Sequence, residues 1–407
     1  VEVNADQRVQ RVLETHLPTP GQNLYLSVDA RLQKAAELQL NGRPGAAVAI
    51  DPRNGEVLAM VSVPTFDPNL FVNGISQTDY NTLLHDPQKP LLQRALRGGY
   101  PPGSTVKPML GLGGLVLGLR TPEDTVMSTG VFHIPGQSRG YRDDQRNGAG
   151  RVDLDQAIAM SVNTYFYKLA LDMGIDRFSQ WMSRFGFGRP TGIDLDGESS
   201  GVLPSRQWKR AQRSQAWYPG ETVIAGIGQG YWVVTPLQLA HAVATLANRG
   251  VPYRPHLLKA VQASGDGIRK PLPELPSGKS IGNTEAQWKA VVKGMIDVIY
   301  GGPGSTARGL GDGFPYVIAG KTGTAERYSR KSDAYENHAD LNALAKRHRA
   351  LFEAFTPAEN HRIAVAVLVE EGAWGGTDAA PVARSILDAW LKDEQPPAST
   401  SSAGGAP

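Results

Sequence analysis

The apolar positions of the chain follow a strand period at both ends and a helical period between them. Gly45-Ala46-Ala47-Val48-Ala49-Ile50 and Glu56-Val57-Leu58-Ala59-Met60-Val61 are largely apolar runs. Asp51-Pro52-Arg53-Asn54-Gly55 separates them, which predicts a hairpin with a turn at its tip. Upstream, Leu24–Val28 reads as a short strand. Asp29 then caps a helix from Ala30 to Leu40, with Leu32, Ala35, Ala36 and Leu40 on one face. Downstream, Pro64–Asn73 and residues 120–150 read as loop. Asp153–Met160, Thr164–Met173 and Asp176–Phe185 read as helices, the last two stopped by Gly174 and Gly186. Thr235 caps a helix that carries Pro236 in its first turn and runs to Asn248, and Thr284–Ile299 is a further helix. The strand pattern then returns at Tyr316–Lys321, Leu351–Phe355 and Ile363–Val369. Pro357–Asn360 turns between the last two, and a helix over Asp378–Trp390 closes the pattern.

Strands from both ends can share one antiparallel sheet, with the helices on its faces and a helical insert between the two strand groups. That is an α+β architecture, with most of the chain one catalytic unit over residues 24–393. Residues 1–23 are polar and read as a linker or the remnant of an N-terminal unit. Residues 394–407 read as a disordered tail by composition.

Composition narrows the function classes. The chain has 407 residues, 41% apolar and 20% charged, with a net charge of +3, so nothing calls for nucleic acid as a partner. It has no cysteine, which excludes disulfides, thiolate metal sites and cysteine catalysis. No run of 18 apolar residues exists, and the chain starts at Val1 without an initiating methionine. It is expected to be a processed or truncated piece. The 8 histidines show no ligand spacing. Asp124 and Asp143, in the loop-rich segment 120–150, make a poor transition-metal site by themselves. Neither a metal nor a cofactor is expected.

Chemistry concentrates in three short motifs. Tyr100-Pro101-Pro102-Gly103-Ser104-Thr105-Val106-Lys107-Pro108 places Ser104 and Lys107 three residues apart at a helix mouth, on one face. Ser161-Val162-Asn163 follows the helix at 153–160, and Lys321-Thr322-Gly323-Thr324 ends the strand at 316. Taken singly, each has a plain reading: Ser104 or Ser161 as a helix cap, Lys107 as a solvated side chain, Lys321 as a strand end. A serine hydroxyl becomes nucleophilic only beside a base, and a lysine serves as one only if burial or a second cation lowers its pKa.

Together and in this order, the motifs resemble those of the penicillin-binding transpeptidases. The Tyr100–Pro108 stretch, Gly226-Ile227-Gly228-Gln229-Gly230-Tyr231-Trp232 and Thr235-Pro236-Leu237-Gln238 look like a class B, monofunctional member. Asn163-Thr164-Tyr165-Phe166-Tyr167-Lys168-Leu169-Ala170 with Asp172-Met173-Gly174-Ile175-Asp176-Arg177 is similar to penicillin-binding protein 2 of Gram-negative bacteria. The resemblance covers residues 22–392. Where some penicillin-binding protein 2 members end the second motif in Asp, this chain has Asn163, an uncharged amide.

The resemblance implies the penicillin-binding and serine β-lactamase-like fold, with a five-stranded antiparallel sheet flanked by helices and an all-helical subregion. It implies a peptidoglycan D,D-transpeptidase acting on stem peptides that end in D-Ala-D-Ala during cell elongation. Ser104 would be the nucleophile and Lys107 its base. Ser161 would be the proton relay and Asn163 a tether for Lys107 and substrate. Lys321 would supply positive potential, with Thr322, Gly323 and Thr324 binding the substrate. The backbone N–H groups of Ser104 and Thr324 would form the oxyanion hole, worth roughly 3 kcal/mol per donor. β-Lactams would be trapped on the same serine. The implied partners are the glycosyltransferase and scaffold proteins of the elongation complex. The implied location is the periplasmic face of the inner membrane, with an anchor outside this chain. On the same fold, a D,D-carboxypeptidase or β-lactamase-like hydrolase stays open, as does a non-catalytic β-lactam sensor or scaffold. Tyr231 and Trp232 could line the cleft or pack in the core. Ala325–Arg349, rich in charge, reads as a long mobile loop that could close over substrate or serve only as a solvated face.

Overall fold

Two strands from the first sixty-odd residues and three from the last ninety build the central sheet. The computed structural model describes residues 2–12, 14, 20–264, 267–273, 278–326 and 348–392. Its sheet comprises β1 (Gly45–Ile50), β2 (Val57–Val63), β3 (Ala319–Glu326), β4 (His348–Thr356) and β5 (Ile363–Val369). The spatial order is β3-β4-β5-β1-β2, every pair antiparallel. The expected hairpin is present, with its turn tied by the Gly55 N–H to Asp51 carbonyl bond at 2.9 Å. Every residue of β1 and of β5 is buried. Successive side chains of a strand point to opposite faces, so both faces of the sheet are covered.

Seven helices are used below, α1 (Ala30–Leu40), α2 (Lys107–Val116), α3 (Leu154–Ala159), α4 (Asn163–Met173), α5 (Pro236–Ala247), α6 (Glu285–Tyr300) and α7 (Ala380–Leu391), of which α1, α5, α6 and α7 pack on the sheet. Helices α1 and α7 pack on each other, α5 packs on β1 and β5, and α6 packs on β3, α2 and α3. Helices α1, α3, α5 and α6 start where a nearby side chain accepts a free N–H of the first turn. The Asp29 side chain accepts from the Arg31 N–H, and Asp153, Thr235 and Thr284 each form a capping box with a glutamine three residues on. Helix α5 is buried over its whole length, as its apolar circumference requires.

Several expected boundaries move. Tyr316, Val317 and Ile318 are not strand; β3 starts at Ala319 and carries the whole Lys321–Thr324 motif. The Val317 carbonyl instead accepts from the Ala358 N–H and the Thr356 hydroxyl, which anchors the approach to the sheet. Ala325, His348 and Arg349, expected in a mobile loop, belong to the β3–β4 ladder, where Ala325 pairs with Arg349 and Glu326 with His348. Residues 327–347 and the expected tail lie outside the described residues. The last helix is preceded by a π turn over Gly375–Ala379.

The described residues through Leu26, with those from Leu258 to Pro273, form a compact unit distinct from the remainder. Within it, the strand expected at Leu24–Val28 is Asn23–Leu26. It joins no part of the five-stranded sheet and pairs with Leu258–Gln262, which in turn pairs with Arg269–Pro271. The Tyr25 hydroxyl donates to Gln262 Oε1 at 2.6 Å across that pair.

Candidate active site

Ser104 lies in a 3-10 turn, Gly103–Val106, that feeds directly into α2. The helix proper begins three residues later than the sequence suggests, but residues three apart eclipse in a 3-10 turn, so Ser104 and Lys107 still share one side. From Pro102 to Leu115 every residue is buried except Ser104, which is half-buried. A closed segment thus presents one hydroxyl. Gly103 makes the turn possible: its φ is +56°, and a Cβ there would sit 2.6 Å from the Thr324 carbonyl oxygen. Its N–H donates to the Gly228 carbonyl at 2.9 Å, which places the Gly226–Gly230 turn against the Ser104 turn.

The first wall is helical. Lys107 is fully buried, and its Nζ donates to the Ser161 carbonyl at 2.7 Å, Ser161 Oγ at 3.2 Å and Asn163 Oδ1 at 2.6 Å. The Phe166 ring lies beneath it, 5.4 Å from Nζ to the centroid. Ser161 occupies the junction between α3 and α4 with φ +58°, a left-handed conformation that a non-glycine residue seldom adopts. That turn is closed by Ser161 N–H to Ile158 carbonyl and Val162 N–H to Ala157 carbonyl bonds, so Ser161 caps neither helix. Asp143 performs the capping. Its Oδ1 accepts the Asn163 N–H at 2.8 Å and its Oδ2 accepts the Thr164 N–H at 3.0 Å, a carboxylate on a helix N-terminus. Oδ2 also takes the Ser128 hydroxyl at 3.0 Å, and Oδ1 the Asp144 N–H at 3.0 Å. Asp144 itself is exposed and accepts from Asn163 Nδ2 at 3.3 Å.

The second wall is β3, the edge strand of the sheet. Lys321 is fully buried and donates to the Thr322 carbonyl at 3.1 Å. Burial first, and the Lys107 charge second, drive its pKa well below the usual lysine value, while Asp144 and Glu353 pull it back. Glu353 stands opposite Lys321 in the β3–β4 register, also fully buried, with neither carboxyl oxygen hydrogen-bonded. Burial holds its pKa well above the usual carboxylate range against the pull of Lys321. The Thr322 hydroxyl donates to Thr306 Oγ1 at 2.7 Å, and Gln229 Nε2 donates to the Thr324 carbonyl at 3.0 Å.

Between the walls is a cleft of about 100 Å³. Ser104, Ser161, Asn163, Thr322, Gly323 and Thr324 line it, and Lys107 and Lys321 lie buried behind them. All eight positions singled out in the sequence therefore converge. The cleft also takes in Asp144, Thr306, His348 and Trp374, for which the sequence carries no local signal, and Gln229 from the glycine-rich turn. Tyr231 and Trp232 do not line it. Trp232 is buried between Phe178 and Phe187, and Tyr231 stacks on Trp208 and Trp217. Asp124 is spent on the Thr121 N–H at 2.7 Å, far in role from the Asp143 cap.

A serine and two buried lysines in this frame define a class. The chain belongs to the penicillin-binding protein transpeptidase family, whose domain model matches residues 45–388. Within that family its likeness is to penicillin-binding protein 2. Peptidoglycan D,D-transpeptidase MrdA of Acinetobacter baumannii is 45% identical over 394 residues, which cover 96% of this chain and 57% of that protein. Pseudomonas aeruginosa PBP2, solved in complex with WCK 5153, superposes with a TM-score of 0.82 at 48% identity, covering 92% of this chain and 80% of that one. Helicobacter pylori PBP2, solved in complex with MreC, gives a TM-score of 0.78 at 31% identity, covering 97% of this chain and 68% of that one. The five-stranded sheet with its helical insert is thus the fold that the motifs imply. No helix of the described residues is long and apolar enough to cross a membrane.

Proposed function

We propose that this chain carries the catalytic domain, residues 24–393, of a peptidoglycan D,D-transpeptidase of the elongation type. One observation carries the reading: the buried Lys107 Nζ, on the Ser104 side of its turn, is held at 2.6–3.2 Å by Ser161 and Asn163. Ser104 Oγ attacks the penultimate carbonyl of a D-Ala-D-Ala stem peptide while Lys107, as the neutral amine, takes its proton. The tetrahedral oxyanion is met by the backbone N–H groups of Ser104 and Thr324. Thr324 belongs to an edge strand, and its backbone lies beside Gly103, which supports that pairing. Ser161 returns a proton to the departing D-Ala. Thr322 and Thr324 bind the terminal carboxylate, with Lys321 supplying positive potential behind them and Gly323 giving the close approach. An amine from a neighbouring stem peptide then resolves the acyl-enzyme, and no cofactor or metal takes part. β-Lactams acylate the same serine.

The reaction belongs, on this reading, at the periplasmic face of the inner membrane, which the kinship with penicillin-binding protein 2 supports. The chain's partners on this reading are a scaffold protein of the MreC kind, which the Helicobacter pylori PBP2 complex supports, and an elongation glycosyltransferase. Mass spectrometry after exposure to benzylpenicillin tests the site. The expected result is a stable adduct on Ser104 that is absent in Ser104→Ala. An unlabelled Ser104 would refute the nucleophile, and rapid release of hydrolysed penicillin would replace the transpeptidase with a hydrolase.

A further inference from the structure

Three lysines are buried among the described residues, Lys107, Lys321 and Lys209, and the reaction above uses the first two. Lys209 is the one buried residue of the helix Arg206–Arg213, whose other charged side chains, Arg206, Arg210 and Arg213, are exposed. Its Nζ donates to the Ala216 carbonyl at 2.7 Å and to the Glu221 carboxylate. The rings of Tyr218, Tyr231 and Trp217 lie against it, with centroids at 4.8, 5.7 and 5.9 Å. A buried ion pair seldom stabilises a fold more than apolar side chains of the same volume would. What it adds is direction, because a charge-assisted hydrogen bond tolerates little sliding.

Both ends of the Gly226–Gly230 turn are tied to that one ammonium. Upstream, the second oxygen of Glu221 accepts the Tyr218 N–H at 2.8 Å, at the head of the helix Pro219–Ala225. This helix packs on α4 and runs straight into the turn. There the Ala225 carbonyl accepts the Gly228 N–H at 2.9 Å and the Ile224 carbonyl accepts the Gln229 N–H at 3.2 Å. Downstream, the chain leaves the turn through Tyr231, one of the rings against Nζ. The turn meets the site at two points. The Gly228 carbonyl takes the Gly103 N–H, one residue before Ser104, and Gln229 Nε2 donates to the Thr324 carbonyl. We infer that Lys209 is a positioning residue for the oxyanion hole: through Glu221 and Tyr231 it sets the turn that keeps the Ser104 and Thr324 N–H groups aimed at one point. The inference rests on the transpeptidase reading above. Lys209 takes no part in proton transfer. Its effect falls on the acyl-transfer transition state, where the oxyanion forms, and not on ligand binding.

Acylation by benzylpenicillin, followed by stopped flow over a range of concentrations, separates the rate at saturation from the half-saturating concentration. The double variant Lys209→Met, Glu221→Gln removes both charges and leaves an oxygen for the Tyr218 N–H. No buried charge is orphaned, so the melting temperature should stay near that of the unaltered protein. The saturated rate should still fall about tenfold, short of the hundredfold or more that loss of a whole donor brings, with the half-saturating concentration unchanged. Glu221→Asp keeps the charge but withdraws the carboxylate by one methylene. It should show the same split at about threefold, and it carries the test should the double variant fold poorly. Gln229→Ala cuts the link from the turn to Thr324, so its effect and that of the double variant should combine to less than their product. A saturated rate that stays unchanged in the altered proteins would overturn the inference. So would a loss confined to the half-saturating concentration, or effects that multiply in full with Gln229→Ala. Failure of the unaltered protein to form any Ser104 acyl-enzyme is a separate outcome, and it removes the transpeptidase reading together with this one.

Discussion

The two walls of the cleft each bury a lysine and treat it differently. On the helical wall Lys107 meets three oxygens, two from Ser161 in the α3–α4 turn and one from Asn163 at the start of α4. On the sheet wall Lys321 is buried just as fully, yet it donates to its own neighbour's carbonyl and faces Glu353, whose oxygens take no hydrogen bond. Burying a charge costs several kcal/mol unless partners replace the lost water, on the order of the penalty for a buried ion. The helical wall meets that cost with fixed dipoles before any substrate arrives. The sheet wall leaves part of it unmet, so an anion entering beside Lys321 gains more than it would beside a satisfied cation. One wall is wired for proton transfer and the other is held ready for charge.

Lysine replacements separate the walls most sharply. Lys107→Ala should slow acylation of Ser104 by about a thousandfold, the reach of general-base catalysis. Lys321→Ala should cost about a hundredfold, the reach of one preorganised electrostatic group, through loss of the positive potential behind the terminal carboxylate. Both are read from the rate of labelling by a fluorescent penicillin, and equal losses would erase the distinction. Next in size, Asp143→Ala strips the cap from α4 and leaves two buried N–H groups without their acceptor. Stability should fall by about 2 kcal/mol in thermal unfolding, with the rate loss following through Asn163. Thr306→Val removes the oxygen that takes the Thr322 hydroxyl, and acylation should drop about threefold.

The smallest effect concerns pH. The folded-state pKa of Glu353 is raised above its unfolded value, so the folded protein holds the proton more tightly. Its contribution is fully present below about pH 4.5, the usual carboxylate value, and is lost as pH rises from there through the folded-state pKa. Lys321, depressed by burial, runs the other way: its penalty is fully present at low pH and is relieved as pH climbs toward the usual lysine value. Glu353→Gln should therefore leave the Lys321 slope uncovered, so that melting temperature rises with pH more steeply than in the unaltered protein. A shallower rise would mean that Glu353 ionises freely in the fold.

The helical wall was largely legible in the sequence because its signals are local. Ser104 and Lys107 share a turn, Ser161 and Asn163 share a junction, and the capping residues Asp29, Asp153, Thr235 and Thr284 stand where side-chain oxygens can reach the first free N–H groups. The sheet wall was less so. Tyr316-Val317-Ile318 has the composition of a strand and is not one, whereas Lys321-Thr322-Gly323-Thr324 lacks an alternating pattern and is. An edge strand beside a cleft is specified by its backbone ladder to β4, not by an apolar face. Thr306 and Trp374 reach the site from loops that carry no periodicity. Asp143 caps a helix that begins twenty residues later, a distance at which no cap pattern operates. Trp232, a candidate for the cleft, fills the space between Phe178 and Phe187 instead, since burying its large ring surface outweighs the one indole N–H left without a partner.

The left-handed backbone at Ser161 has a consequence for anyone who would make this protein hardier. A side chain held in that conformation costs about 1 kcal/mol that glycine would not incur. Screening for heat resistance alone would favour Ser161→Gly, which keeps the backbone path and the carbonyl that receives Lys107. The hydroxyl would vanish, and with it the oxygen that stands 3.2 Å from Nζ. Sturdiness and chemistry pull in opposite directions at this one position, and a serine there records which of them has been retained.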